Sequence, residues 1–229
     1  MKATIYTLFW MMTSMILNIE AASAQQSPQY IDLGLPSGTL WATCNIGANN
    51  PWEYGDYFAW GETTTKKSYS WAFYQYADGN FDKIIKYCNK SFYGNNGHTD
   101  KLKTLEKEDD AANANLGPDW SMPTIEQYRE LMENCTSEWT YNFNNKGVAG
   151  RILKSKRNDS EIFFPASGFK GDDGNTTNIG AYGFYWSSSL NTENPGNAAL
   201  LYFHSGYISS FSNSFRYYGQ SVRPVRATK

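Results

Sequence analysis

Two periods organise the apolar residues. Ile125, Tyr128, Leu131, Met132 and Cys135 recur at helical spacing and predict an amphipathic helix. Thr124 supplies its N-cap, and Gln127, three residues on, completes a capping box. A shorter helix is predicted over residues 106–115, with acids at its front and Gly117-Pro118 ending it. A third short helix fits residues 81–87. Elsewhere the pattern is that of strands. Residues 30–46 read as strand, turn and strand around the breakers Gly34, Pro36 and Gly38, and residues 54–60 alternate aromatic and small side chains as a short strand. Residues 150–154 and 161–165 flank Asn158-Asp159, a natural hairpin tip. Strands follow at 184–188 and 199–204; in the second, Ala199, Leu201 and Phe203 share one face and Leu200, Tyr202 and His204 the other. Residues 207–215 lack clean alternation, which fits a loop or an irregular edge strand. Pro224 marks an edge or strand end in the closing segment 220–226. Segments 63–100 and 168–180 are polar and irregular, and read as loops.

The first residues change the picture of where the chain works. Lys2, a mostly apolar stretch over residues 3–19 and the small-x-small run Ala22-Ser23-Ala24 read as an export signal, residues 1–24, cleaved before Gln25. The expected product, residues 25–229, is a single domain released to the periplasm or the exterior of a bacterium, with no membrane span after signal cleavage. Formal net charge is -2, which favours neither nucleic acid nor an anionic membrane surface as a partner. Three cysteines, Cys44, Cys88 and Cys135, allow one disulfide with one thiol left over, and Cys44–Cys135 is the expected pair. With only His98 and His204, and no CxxC, no metal site and no cofactor are expected.

Aromatic residues make up 17% of the chain, and their distribution points to recognition. Residues 182–218 hold six Tyr, eight Ser, four Asn and four Phe, while Glu193 and His204 are the only ionisable acid or base between Gly174 and Phe215. Rigid amphipathic rings with short polar neighbours are what binding loops use, and a stretch with no acid, base or nucleophile cluster is poorly equipped to react. Core packing of a β-rich domain is the competing reading of the same residues. The candidate contact residues are Trp186, Tyr202, His204, Tyr207, Ser209, Phe211, Asn213, Phe215, Tyr217 and Tyr218. Trp186 and Tyr202 fit a core position as readily as a contact position.

Three segments together resemble a known family. The run Tyr30-Ile31-Asp32-Leu33-Gly34-Leu35-Pro36-Ser37-Gly38-Thr39-Leu40-Trp41-Ala42-Thr43-Cys44-Asn45 is similar to the opening of the Fibrobacter succinogenes major paralogous domain, common in exported Bacteroidetes proteins. Asp109-Asp110-Ala111-Ala112 through Trp120-Ser121-Met122-Pro123-Thr124 resembles its central motif. Tyr185-Trp186-Ser187-Ser188-Ser189 and Ser221-Val222-Arg223-Pro224-Val225 resemble its C-terminal part. Ser121 stands where that family often has Arg. The resemblance implies an α+β, C-type-lectin-like domain, with small twisted antiparallel sheets, about two flanking helices, long loops and neighbouring termini. It also implies a ligand face built from the C-terminal strands, as in the variable proteins of diversity-generating retroelements.

The expected function is therefore non-catalytic recognition of a protein or glycan ligand. A structural or assembly module of the cell envelope is the alternative, and a hydrolase the third. Formylglycine-generating enzymes of the same fold use paired cysteines before their closing strand, and residues 211–221 contain none. A hydrolase would need two of Glu62, Asp109, Asp110, Glu193 and His204 together in a deep pocket. Glu193-Asn194-Pro195 and Asp172-Asp173-Gly174-Asn175 superficially suggest calcium ligation, but turn formation explains both better.

Overall fold

The computed structural model describes residues 29–228; the expected signal segment lies outside them. The elements are β1 (Tyr30–Asp32), β2 (Leu40–Ala42), α1 (Ala111–Leu116), α2 (Ile125–Asn134), β3 (Cys135–Thr140), β4 (Gly150–Ser155), β5 (Glu161–Pro165), β6 (Phe169–Lys170), β7 (Thr176–Thr177), β8 (Gly183–Leu190), β9 (Asn197–His204), β10 (Tyr207–Phe215) and β11 (Val225–Arg226). Two α-helices thus accompany several small antiparallel sheets, an α+β arrangement.

Early and late chain meet in one sheet of order β1-β2-β11, where Trp41 of β2 pairs with Ile31 on one side and Val225 on the other. A second sheet runs β3-β4-β5, its β4–β5 hairpin turning where Asp159 takes a left-handed φ of 60°. The third sheet, in the order β10-β9-β8, divides the interior. Trp186, Leu190, Ala198 and Leu200 face one apolar cluster with Phe58, Trp60, Tyr74 and Trp120. Tyr185, Leu201 and Phe203 face the other, with Trp41, Tyr128, Leu131 and Phe164. Both faces of this sheet are covered where the strands are most apolar, and each such side chain buried contributes about 1.5–3 kcal/mol. Gly183 sits opposite Phe203, and a Cβ there would overlap the Phe203 ring.

Helix α2 follows its sequence signals. Thr124 accepts from the Gln127 backbone (3.2 Å), while the Gln127 side chain accepts from the Thr124 N–H (2.9 Å). Tyr128 and Leu131 bury the apolar face, and Cys135, at φ -121° and ψ 152°, passes directly into β3. The shorter predicted helix narrows to α1. Asp110 caps it by accepting from the N–H groups of Ala112 (2.8 Å) and Asn113 (3.1 Å), and also accepts from Met122 N–H (2.8 Å), which fastens α1 to the approach to α2.

Three local expectations are corrected. Residues 81–87 form no helix, because Tyr87 takes φ 58° and Ile84 is engaged in bridges to Ala77 and Gly94. Residues 54–60 are not a strand of a ladder. Asp56, Phe58 and Trp60 donate to Ile46, Gln220 and Arg216 in turn, so no single partner strand accompanies the segment. The cysteines are all free thiols and Cys44–Cys135 is not formed. Cys135 is sealed in the apolar cluster under α2, where burial pushes its thiol up to about 11, whereas Cys44 lies beyond β2 against the Thr43 hydroxyl.

Candidate functional site

Strand register collects the late aromatic residues into a band. On β8, β9 and β10, Phe184 lies opposite Tyr202, Ser209 opposite Tyr202, and Tyr207 opposite His204. Ring contacts then run without a break: Tyr207 to His204 (5.9 Å), His204 to Tyr202 (5.9 Å), Tyr202 to Phe184 (5.2 Å), Phe184 to Phe169 (5.3 Å), Phe169 to Tyr218 (4.9 Å), Tyr218 to Tyr217 (4.4 Å) and Tyr217 to Trp71 (5.1 Å). Tyr182 stacks beside Tyr202 (6.0 Å) and Phe215 beside Tyr217 (5.6 Å). Tilted and edge-on pairs of this kind add about 0.5–1.5 kcal/mol each beyond their buried area. The rings therefore hold one another in place, an ordering that would lower the cost of any docking on them.

The fixed end of the band is anchored by Arg216. This residue lies between Phe215 and Tyr217 yet is fully buried. Its guanidinium donates to the Tyr74 hydroxyl (2.8 Å) and to the carbonyls of Tyr87, Pro195 and Lys86 (each 3.0 Å), 4.8 Å from the centre of the Trp60 ring. At the opposite end Arg151 donates to the carbonyls of His204 (2.8 Å) and Ser205 (3.0 Å), fixing the turn between β9 and β10.

Two open clefts adjoin the anchored end. The larger, about 490 Å³, is walled by Trp71, Phe169, Tyr217 and Tyr218, with Ser70 and Asp172 as its polar side chains. The smaller, about 340 Å³, is lined by Tyr54, Asp56, Tyr57, Lys66, Tyr69 and Lys170 among others. Alternation along β6 sends Phe169 to the first and Lys170 to the second. The ridge between them is fixed by Tyr69 N–H donating to Gly171 (3.1 Å) and the Ser68 hydroxyl donating to the Asp172 carbonyl (2.7 Å). Gly174 completes this wall at φ 70°, where a Cβ would overlap the Lys67 carbonyl. Burial, then the neighbouring Tyr218 hydroxyl and the Asp172 carboxylate, hold the Tyr217 phenol above the ordinary range. Burial, with Tyr182 and Tyr207 adding to it, does the same at Tyr202.

The sequence-predicted contact residues divide. Tyr207, Phe211, Asn213 and Phe215 are exposed, while Tyr202, His204, Tyr217 and Tyr218 are half-buried. Trp186 is corrected to core: it is fully buried and its indole donates to the Phe58 carbonyl (2.9 Å). Ser209 is also buried, its hydroxyl accepting from Phe211 N–H (3.0 Å) across the irregularity in β10. Phe211 turns to the helix side, its ring 4.7 Å from the Arg129 guanidinium. Trp71, Phe169, Tyr182 and Phe184 complete the band and cleft without having been among the expected contact residues, and Asp172, weighed in the sequence only as a calcium ligand or turn residue, joins them in the cleft. For Trp71 and Phe169 the available signal was only an aromatic residue within a polar, irregular segment.

The acids considered for hydrolysis are dispersed. Glu62 pairs with Lys66 (2.7 Å), Asp109 accepts from Tyr76 (2.6 Å), Lys86 (2.6 Å) and Tyr87 (2.5 Å), and Asp110 caps α1. Glu193 reaches Lys90 (3.1 Å) from an exposed loop, and His204 belongs to the band. None of these five lines either cleft. Among the described residues no helix is long and apolar enough to cross a membrane.

Residues 151–225, from β4 to the start of β11, match a family described as a domain of unknown function (DUF8237). That span contains the whole band except Trp71. No curated protein and no solved structure matches the chain.

Proposed function

We propose that this is an exported, non-catalytic binding protein of C-type-lectin-like architecture that holds a protein or glycan ligand on its aromatic band. The observation that carries the reading is the unbroken series of ring contacts from Tyr207 to Trp71, opening into a cleft at its anchored end. Aromatic faces supply stacking or apolar anchorage, and neighbouring Ser, Asn and Tyr hydroxyl groups orient the ligand through hydrogen bonds. Meeting of β1 and β11, the first and last described strands, on β2, with helices beside small antiparallel sheets, supports the fold assignment. The apolar stretch and Ala22-Ser23-Ala24 support export.

The test is a binding screen of the mature chain against immobilised glycans and purified bacterial envelope and host surface proteins, repeated with a Trp71→Ala, Tyr217→Ala, Tyr218→Ala variant. Loss of at least about tenfold in affinity, as expected for hot-spot aromatics, with a cooperative thermal transition retained, supports the reading. Unchanged affinity in the folded variant overturns it.

A further inference from the structure

The larger cleft carries a specific charge asymmetry. Its walls are the rings of Trp71, Phe169, Tyr217 and Tyr218, and its one ionisable group other than tyrosine is Asp172. Asp172 is exposed, and among the described residues its carboxylate forms no ion pair; the Ser68 hydroxyl donates to it at 3.4 Å. Lys170, on the same ridge, is turned away into the smaller cleft, its amine 5.2 Å from the centre of the Tyr57 ring, and Lys67, beside Gly174, lines neither cleft. Ser70 adds a second unused group, since its hydroxyl oxygen is buried without a hydrogen-bond partner.

Electron-rich ring faces and an uncompensated carboxylate attract the same class of ligand. A cation within about 6 Å of a ring centre gains about 0.5–2 kcal/mol, more as water is excluded. The alkyl stem of a basic side chain can lie along the rings while its head stays at the charged rim. The protein already seats its own cations this way: Arg216 among Trp60, Tyr74 and Tyr87, and Arg226 against Tyr30 and Trp120.

We propose that the cleft between Trp71 and Tyr218 receives a Lys or Arg side chain from a basic segment of a protein ligand, its charged head held by Asp172. The proposal rests on the aromatic band being the binding face, and it narrows the ligand to one presenting an exposed basic residue. Asp172 lines the same cleft as Phe169, Tyr217 and Tyr218, which places the carboxylate at the ring wall.

The test titrates the mature chain with a hexalysine peptide, a hexaglutamine peptide and a neutral hexasaccharide, following amide and indole NMR signals. Parallel titrations use Asp172→Asn, Trp71→Leu and, as a control for bulk charge, Glu161→Gln, which alters an exposed residue of β5. The expected result is hexalysine binding roughly tenfold tighter than hexaglutamine, with signal changes at Trp71, Tyr217 and Tyr218. Asp172→Asn should reduce that preference to about twofold or less at unchanged thermal stability, and Glu161→Gln should leave it intact. Equal binding of the two peptides, or a preference that survives Asp172→Asn or falls equally with Glu161→Gln, overturns the cation assignment. If the neutral hexasaccharide binds and only Trp71→Leu weakens it, the cation assignment fails while the aromatic face stands. If no partner in the broader screen depends on the rings, both fail.

Discussion

Replacing Arg216 with Met should destabilise the protein by about 3–5 kcal/mol. Met keeps most of the unbranched stem's packing, so the change isolates the guanidinium. Four hydrogen bonds disappear, one to the Tyr74 hydroxyl and three to the carbonyls of Tyr87, Pro195 and Lys86. A buried acceptor left without a donor costs about 1–3 kcal/mol, and bonds from charged donors are the stronger kind. Relief from burying a guanidinium offsets part of the sum, since all four partners are neutral. The remaining loss is a large share of the roughly 5–15 kcal/mol that a domain has in total. Urea unfolding followed by far-UV circular dichroism measures it as a lower midpoint at constant slope. Near-UV circular dichroism should change as well, because Phe215 and Tyr217 flank Arg216 in sequence and contact Trp71. Arg216→Lys should recover little, since one compact ammonium cannot reach oxygens spread around a planar fork. A Met variant within about 1 kcal/mol of wild type would refute the assignment of Arg216 as anchor.

Other consequences follow from the same geometry. Gly183→Ala should cost about 1–3 kcal/mol by forcing the Phe203 ring from its place over β8, with chemical denaturation as the measure and a neutral effect as the contrary result. Thr124→Ala should remove about 1 kcal/mol by opening the capping box of α2, and Thr124→Ser should restore most of it. At Asp109 burial pushes the carboxyl up, but hydrogen bonds from Lys86, Tyr76 and Tyr87 outweigh it and leave the group below its ordinary value of 3.8. Its ionised form therefore stabilises the fold above that pH, and the contribution is lost as pH falls through the lower folded value. Asp109→Asn should accordingly flatten the acid limb of the stability profile, and an unchanged limb would contradict this.

The legible part of the sequence was the part governed by local rules. Thr124 and Gln127 marked the start of α2, and Asn158-Asp159 marked the β4–β5 turn. Residues 207–215, read as a loop or irregular edge strand, form an edge strand with a shift between Ser209 and Ser212. The helix over 81–87 failed because composition does not reveal a left-handed φ at Tyr87 or the bridges that claim Ile84. At the site, ring-rich composition located the band but not its depth. Trp186 and Tyr202 sit on the same face of adjacent strands, and only tertiary packing makes one core and the other half-exposed. Trp71 lies about a hundred residues before the rest of the band and joins it through contacts of high sequence separation. The buried Arg216, standing among exposed aromatics, carried no local sign of its four partners.

The most direct test of the account maps bound ligand onto the surface. Amide and aromatic chemical-shift changes should be recorded as the ligand recovered in the binding screen is added to the mature chain. The account predicts changes concentrated at Trp71, Phe169, Asp172, Tyr217 and Tyr218, and extending towards Tyr202 and Tyr207. Changes confined instead to exposed rings away from the band, such as Phe81, Phe92 or Tyr141, would contradict it.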